Sequence, residues 1–505
     1  MSARLIVFRT DASRAIGTGH VMRCATLASA LVAQGATVAF ICREHDGHLC
    51  DWLEARGFLV RRLPLNDTAE GEFAGFGQQA GFSPELPGVD RFVHGSTDGS
   101  GPNQNAAAEQ VGNHLANYSG TDSATQSGTH SATHSATHSA TAAGNAAAPN
   151  PATLAHAAWL GCDWTRDAAQ SVAAIDGMAC QPEWLIVDHY ALDYRWQRVV
   201  RTQVSRVMVI DDLADRQHDC DLLLDQNLVP QMATRYTQRV PLDCTSLLGP
   251  QYALLQAQYA DLRAQRKQRL DPPRRLFAYF GGFDPANLSG MTLDAFLALA
   301  HDPDAGGDLQ LDLVLPASSV HNSAIQRAAQ PHANIHLYSQ LPSLAPLMAS
   351  ADLALGAGGA TTWERLCLGL PSLVVIVAEN QRESALEQQA HGLVHVLGAV
   401  PQVDRAQIQA ALARIMREGV AALVPADLSD VVDGQGVARV LAAMQNRMPA
   451  SLQAHLEQQA LQAGSPTGLP TGSPNGAQPG SPTGSPAGPS TDSSANLSAS
   501  NNGRT

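Results

Sequence analysis

No stretch of this chain holds the roughly 20 consecutive apolar residues that a membrane-spanning helix needs, so no integral membrane segment is expected. Paired cysteines are missing as well. Cys24, Cys42, Cys50, Cys162, Cys180, Cys220, Cys244 and Cys367 stand singly, with no CxxC pair to suggest a zinc or dithiol site, and a reducing compartment suits them best. Positive charge is scarce: 32 Lys and Arg against 46 Asp and Glu leave a net charge of -14. That balance disfavours a polyanion spread over a broad surface, so nucleic acid is not an expected partner, while a small phosphate ligand can still rest on glycine turns and helix N-termini. The opening MSARLIVFRTDAS has a short apolar run that meets Arg9 and Asp11 before any small-residue cleavage site. It reads as a first strand rather than a leader, and the protein as cytoplasmic.

What is present is a repeated alternation of strand-like and helix-like segments, within 505 residues that leave room for two or three domains. RLIVFR and TVAFIC flank a helical spacing from His20 to Gln34, and EWLIVDHY and RVMVIDD flank the helix-like DYRWQRVVRTQV. RLFAYF, LDLVLP, NIHLY, ADLALG and SLVVIV form a second series beyond the charged stretch that ends at Pro272-Pro273. The expected plan is a first domain over 1–265, a second over 266–449, and a tail over 450–505 built of GSPTG-type repeats. The first domain is interrupted at 75–155 by a low-complexity insertion that includes THSATHSATHSAT. Insertion and tail have too little apolar surface to order themselves and are expected to be disordered. His130, His134 and His138 within the repeat can be read as a metal-collecting set or as a slipped short repeat. The fold class is therefore α/β, two Rossmann-like parallel-sheet domains facing a central cleft, with ligands beyond the carboxyl ends of the strands.

The glycine-rich turns fall at those ends. Ile16-Gly17-Thr18-Gly19-His20 places a histidine where a helix begins, and the positive end of the helix dipole, with Arg23 one turn later, favours an uncharged imidazole able to accept a proton. A histidine merely hydrogen-bonded near the helix start satisfies the same pattern. Asp11, closing the first strand, can approach that cleft or cap the loop, and Tyr190 in Asp188-His189-Tyr190 can bind a sugar or pack. In the second half Gly281-Gly282 suits a diphosphate on backbone N–H groups, with Asn287 as a side-chain donor. Gly358, Gly359 and Thr361 lead into Glu364, which can accept from ribose hydroxyls or close a capping box with Thr361. Asn380 and Gln381 follow another strand, where they can reach a sugar or diphosphate, or where Asn380 can cap a helix.

Together, RTDASRAIGTGHVMRC, VDHYALD, IDDLADRQHDCDLLLDQN, FGGFDPANLSG and GAGGATTWERLCLGLPSLVVIVAENQ resemble the UDP-sugar hydrolases of pseudaminic acid biosynthesis, in order and across both expected domains. The resemblance implies a GT-B-like fold and cleavage of UDP-2,4-diacetamido-2,4,6-trideoxy-β-L-altropyranose to UDP and the free sugar, without a cofactor or a metal. It implies inverting attack by water with His20 as proton acceptor, Tyr190 lining the sugar site, Asn287 in the glycine turn and Glu364 on the substrate. Phe283 departs from the pattern, since a small hydroxyl residue is expected there. Transfer of the sugar to another acceptor, or nucleotide-sugar binding without chemistry, are the competing functions.

Overall fold

A computed structural model describes residues 4–65, 154–265, 269–300, 309–317, 319–424, 428 and 431–446. The tail at 450–505 and the insertion at 75–155, apart from its last two residues, lie outside them, as do His130, His134 and His138.

Strand-forming residues cluster where both faces of a sheet are covered. In the first lobe β1 (Leu5–Thr10) points Ile6 and Phe8 into one core beside Phe40, Trp184 and Met208, and Leu5 and Val7 into another beside Ile41, Leu185 and Val207. Covering on both sides is why these strands read as unbroken apolar runs instead of alternating ones. With β2 (Thr37–Arg43), β3 (Leu59–Leu63), β4 (Trp184–Asp188), β5 (Arg206–Ile210), β6 (Leu222–Asp225) and β7 (Thr245–Leu248), it forms a parallel sheet in the order β3-β2-β1-β4-β5-β6-β7. The second lobe repeats the arrangement. Its strands are β8 (Arg275–Tyr279), β9 (Gln310–Leu315), β10 (Ile335–Ser339), β11 (Leu353–Ala357), β12 (Ser372–Ile376) and β13 (His395–Ala399), in the order β10-β9-β8-β11-β12-β13. Two Rossmann-like parallel sheets, as the alternation predicts, thus carry the chain. Their order reverses beside β1 and beside β8, which is where doubly wound sheets open a crevice for ligands.

The opening helix, Gly19–Ala33, buries Val21, Cys24, Leu27, Ala28 and Leu31 against the first core, a helical spacing that keeps one face apolar. A loop after β1 leads into it, where Gly17, at φ +83°, turns the chain and gives its N–H to the Ser13 carbonyl at 2.8 Å.

The linear boundary between the halves does not survive in space. Ala253, Leu255 and Tyr259, from the expected first domain, pack in the second core. Conversely the last described helix, Gly436–Asn446, sets Val440, Leu441 and Met444 into the first core beside Ile6 and Phe8. The expected domain at 266–449 therefore gives its final helix to the first lobe, a crossing that periodicity along the chain cannot reveal. Among the described residues no helix is long and apolar enough to cross a membrane.

Truncating Met444 to Ala should cost about 2–5 kcal/mol. Hydrogen exchange should show the lost protection in β1 and β2 rather than in the second lobe, and loss confined to β8–β13 would contradict this packing.

Candidate active site

The carboxyl ends of β1, β4, β8, β11 and β12 meet at a cleft of about 780 Å³ lined by both lobes. That volume lies within the roughly 300–1,000 Å³ range of small-molecule sites.

His20, the second residue of the opening helix, lines the cleft at 7% exposure. Its Nδ1 lies 2.6 Å from Asp188 Oδ1, at the end of the neighbouring strand β4. Asp188 is fully buried, and burial alone would raise its carboxyl, but Arg23 and then His20 beside it hold it well below the usual carboxylate range. An ionised carboxylate only accepts, so Nδ1 carries a proton, and in the neutral imidazole Nε2 is then the acceptor. Arg23 Nη2 also approaches Nδ1, at 3.3 Å, yet it is 2.7 Å from Asp188 Oδ1, while Nε is 2.6 Å from Oδ2. The carboxylate thus takes both donors. The imidazole is oriented by a buried acid as well as by the helix end, and Asp188 is the partner of that ring, which the sequence reading passed over in favour of its neighbour Tyr190. Arg23 is not a free cation: its third contact is Asp212 Oδ2 at 3.0 Å.

Tyr190 donates its hydroxyl to Asp212 Oδ1 and accepts from Asn380 Nδ2 of the second lobe at 3.2 Å. Its ring meets His20 edge-on at 4.6 Å between centroids and stacks on Trp159 at 5.5 Å. Asn380 spans the lobes here and caps no helix; Ala378 and Gln381 hold the cap positions that follow β12.

On the facing lobe, the turn Gly358-Gly359-Ala360 enters a short helix, Thr361–Cys367, that has no side-chain cap. The Thr361 and Glu364 capping box does not form, because Ala360 is the cap residue. Glu364 instead lines the cleft and meets the Tyr259 hydroxyl, and its Oε2 is buried without a hydrogen-bond partner. Burial pushes the Glu364 carboxyl up to about 7 against the pull of Tyr259 and Arg365. Gln381 also lines the cleft and accepts from the Val377 N–H at 3.1 Å.

The other turn behaves differently from the expectation of a diphosphate platform. Asp284 accepts from the N–H groups of Leu288 and Ser289 at 2.9 and 2.8 Å, and Asn287, at φ +54°, accepts from Gly290 at 3.3 Å. The helix Leu288–Ala300 is therefore capped from within, and Asn287 does not line the cleft. Gly282 does, but a Cβ there would lie 2.8 Å from Thr18 Cγ2 of the first lobe, so it permits the lobes to approach. Asp11 is another correction. It sits at 0% exposure behind the cleft, paired with Arg9 at 2.7 Å and accepting from the Arg43 N–H at 2.6 Å, and cannot orient a substrate. Gly17, Gly19, His20, Arg23, Tyr190, Gly282, Gly358, Gly359, Thr361, Glu364, Asn380 and Gln381 are brought together in one cleft; Asp11 and Asn287 are not. Asp212, Tyr259 and Arg14 join the lining without having been foreseen. Among the described residues no group of three or more His, Cys, Asp or Glu side chains is arranged to hold a metal ion.

No family model matches the chain. It is similar to the spore coat polysaccharide biosynthesis protein SpsG of Bacillus subtilis, 28% identical over 204 residues, which are 39% of this chain and 57% of that one. It is also similar to the UDP-2,4-diacetamido-2,4,6-trideoxy-beta-L-altropyranose hydrolase of Campylobacter jejuni, 24% identical over 204 residues, 40% of this chain and 69% of the hydrolase. The chain thus matches little more than half of the first relative's length and about two thirds of the second's. Among solved structures, MurG of Acinetobacter baumannii aligns over 88% of this chain and 99% of its own, at 11% identity and a TM-score of 0.48. The chain is thus distantly similar to a polysaccharide biosynthesis protein and to a UDP-sugar hydrolase.

The raised Glu364 carboxyl makes stability depend on pH in a stated direction. An unfolded Glu titrates near about 4.3, so the folded chain holds this proton more tightly, and the benefit is complete below that value. It is lost as pH rises through about 7. Calorimetry at about pH 5 and about pH 8 should therefore show Glu364→Gln gaining on the parent as pH rises, and parallel melting temperatures would contradict the assignment.

Proposed function

We propose that the chain hydrolyses UDP-2,4-diacetamido-2,4,6-trideoxy-β-L-altropyranose to UDP and free 2,4-diacetamido-2,4,6-trideoxy-L-altrose. The observation that carries this reading is the imidazole of His20 at the interlobe cleft, with Nδ1 held 2.6 Å from the buried Asp188 carboxylate so that Nε2 is the nitrogen left to accept a proton. Similarity to a UDP-sugar hydrolase supports the substrate class.

In the proposed reaction a water oxygen attacks the anomeric carbon from the face opposite the nucleotide and loses its proton to His20 Nε2. The bond from that carbon to the phosphate oxygen breaks, its electron pair leaves with UDP, and the sugar configuration inverts. Asp188 steadies the imidazolium that forms, so the charge created on His20 meets a preorganised partner. Gly358, Gly359 and Thr361, at the helix start without a side-chain cap, face the phosphates, and Glu364 accepts from the ribose hydroxyls through its unpartnered oxygen. Tyr190, Asn380 and Gln381 border the sugar. The diphosphate also needs a cation. Arg14 and Arg23 are the arginines lining the cleft, and Arg23 is held by two carboxylates. Among the described residues Arg14 pairs with Asp46 at 2.8 Å, with 63% and 81% of the two side chains exposed, a partnership easily exchanged for phosphate.

Incubation with the UDP-sugar alone should release UDP steadily and give the inverted anomer by NMR. His20→Asn should slow turnover about 10²–10⁴-fold while UDP still binds. UDP appearing only when an acceptor sugar is added would replace hydrolysis by transfer, and a His20→Asn protein with full turnover would remove the proposed base. Titration calorimetry should show Arg14→Ala weakening UDP about tenfold while leaving uridine unchanged; equal losses for both ligands would place Arg14 away from the diphosphate.

A further inference from the structure

The base is joined to the opposite lobe by an unbroken run of hydrogen bonds. Asn380 Nδ2 donates to Tyr190 Oη at 3.2 Å, and the Tyr190 hydroxyl donates to Asp212 Oδ1. Asp212 Oδ2 accepts from Arg23 Nη1 at 3.0 Å, Arg23 grips both oxygens of Asp188, and His20 donates to Asp188 at 2.6 Å. Every joint has a consistent donor direction. Tyr190 spends its only proton on a carboxylate, so Asn380 must present its amide nitrogen. Asn380 itself follows β12, in the lobe proposed to hold the nucleotide, and Arg235 with Glu383 at 3.4 Å makes a second tie across the same seam.

We infer that Asp212 is a positioning residue through which the nucleotide-bearing lobe sets the orientation and tautomer of His20. The inference rests on the reading of His20 as the base. Its physical content lies in the Arg23 guanidinium, which has one nitrogen drawn to Asp212 and the other two aimed at Asp188. Arg23 Nη2 is only 3.3 Å from His20 Nδ1. Without the pull of Asp212 on Nη1, the guanidinium can turn so that Nη2 donates to Nδ1. The imidazole proton then moves to Nε2, and the nitrogen facing the cleft can no longer accept.

Nitrogen-15 NMR of histidine-labelled protein, with and without UDP, reads the His20 tautomer independently of turnover. Asp212→Asn should lower the Nδ1-protonated fraction of His20 and reduce kcat about tenfold, with KM and UDP affinity within about twofold of the parent. Asn380→Ala should produce the same His20 change in the UDP-bound protein, and the double variant should shift the His20 tautomer no further than Asp212→Asn alone. An unaltered tautomer in Asp212→Asn, or tautomer shifts that add in the double variant, would overturn the inference. Should Asp212→Asn fail to fold, Tyr190→Phe keeps the ring and cuts the same run: its His20 signals must then respond to UDP as those of Asn380→Ala do, and a parent-like response counts against the proposal. Full turnover in His20→Asn defeats the hydrolytic reading alone, since the tautomer still decides whether Asp212 positions the ring.

Discussion

A desolvated carboxylate at the end of a central strand is the constraint around which the cleft is arranged. Asp188 has no contact with solvent, and an unpaired charge there would cost several kcal/mol even after relaxation. The cost is offset by two donors from Arg23, one from His20 and the Cys24 thiol at 3.4 Å. All three come from successive turns of one face of the opening helix, so the helix cannot slide along β4 without leaving the carboxylate short of partners. A requirement of stability thereby fixes the rotation of an imidazole. A second buried network lies behind the first: Arg9 and Arg43 share Asp167, and Arg9 also holds Asp11, which locks the ends of β1 and β2 beneath the cleft.

The two lobes contribute opposite chemistry. The first brings buried carboxylates and an arginine that are paired and hydrogen-bonded around the His20 ring. The second brings backbone turns, amides and a carboxyl inclined toward its neutral form. Its two glycine turns look alike as strings of letters, but Asp284 turns one of them inward by capping its own helix, whereas the helix after Gly359 starts without such a cap. An anion approaching the second lobe meets competition at the first of these turns and none from a side-chain cap at the other.

Strands with both faces covered were legible because burial leaves them no polar position: RLIVFR, EWLIVDHY, RVMVIDD and SLVVIV announce β1, β4, β5 and β12. The strands not foreseen are short or lie at a sheet edge. LVRRL in β3 carries two arginines, TSLL in β7 is half polar, HVLGA in β13 is only partly buried, and LLLD in β6 is four residues long. At the site, His20 and Glu364 stood out through their turns, since a glycine turn ahead of a helix is a local signal. Asp188 and Asp212 did not, because their meaning comes from Arg23, 165 and 189 residues away in the chain, and pairing at that distance leaves no periodic trace. Asp11 misled for the converse reason. A strand-end acid looks alike whether it faces the cleft or the interior, and only the neighbouring Arg9 and Arg43 decide between them.

The exchange of segments between lobes has a mechanical meaning. Among the described residues, 255–264 lie on the second lobe and 436–446 on the first, so the described polypeptide passes between the halves twice, as two pins pass through one hinge. A single connection would let the halves twist and bend in any direction, whereas a pair restricts them to swinging about the line that joins the crossings. Such a swing opens and shuts the seam where Thr18 faces Gly282 and Tyr190 meets Asn380, and it resists lateral shear that would misalign the two rims.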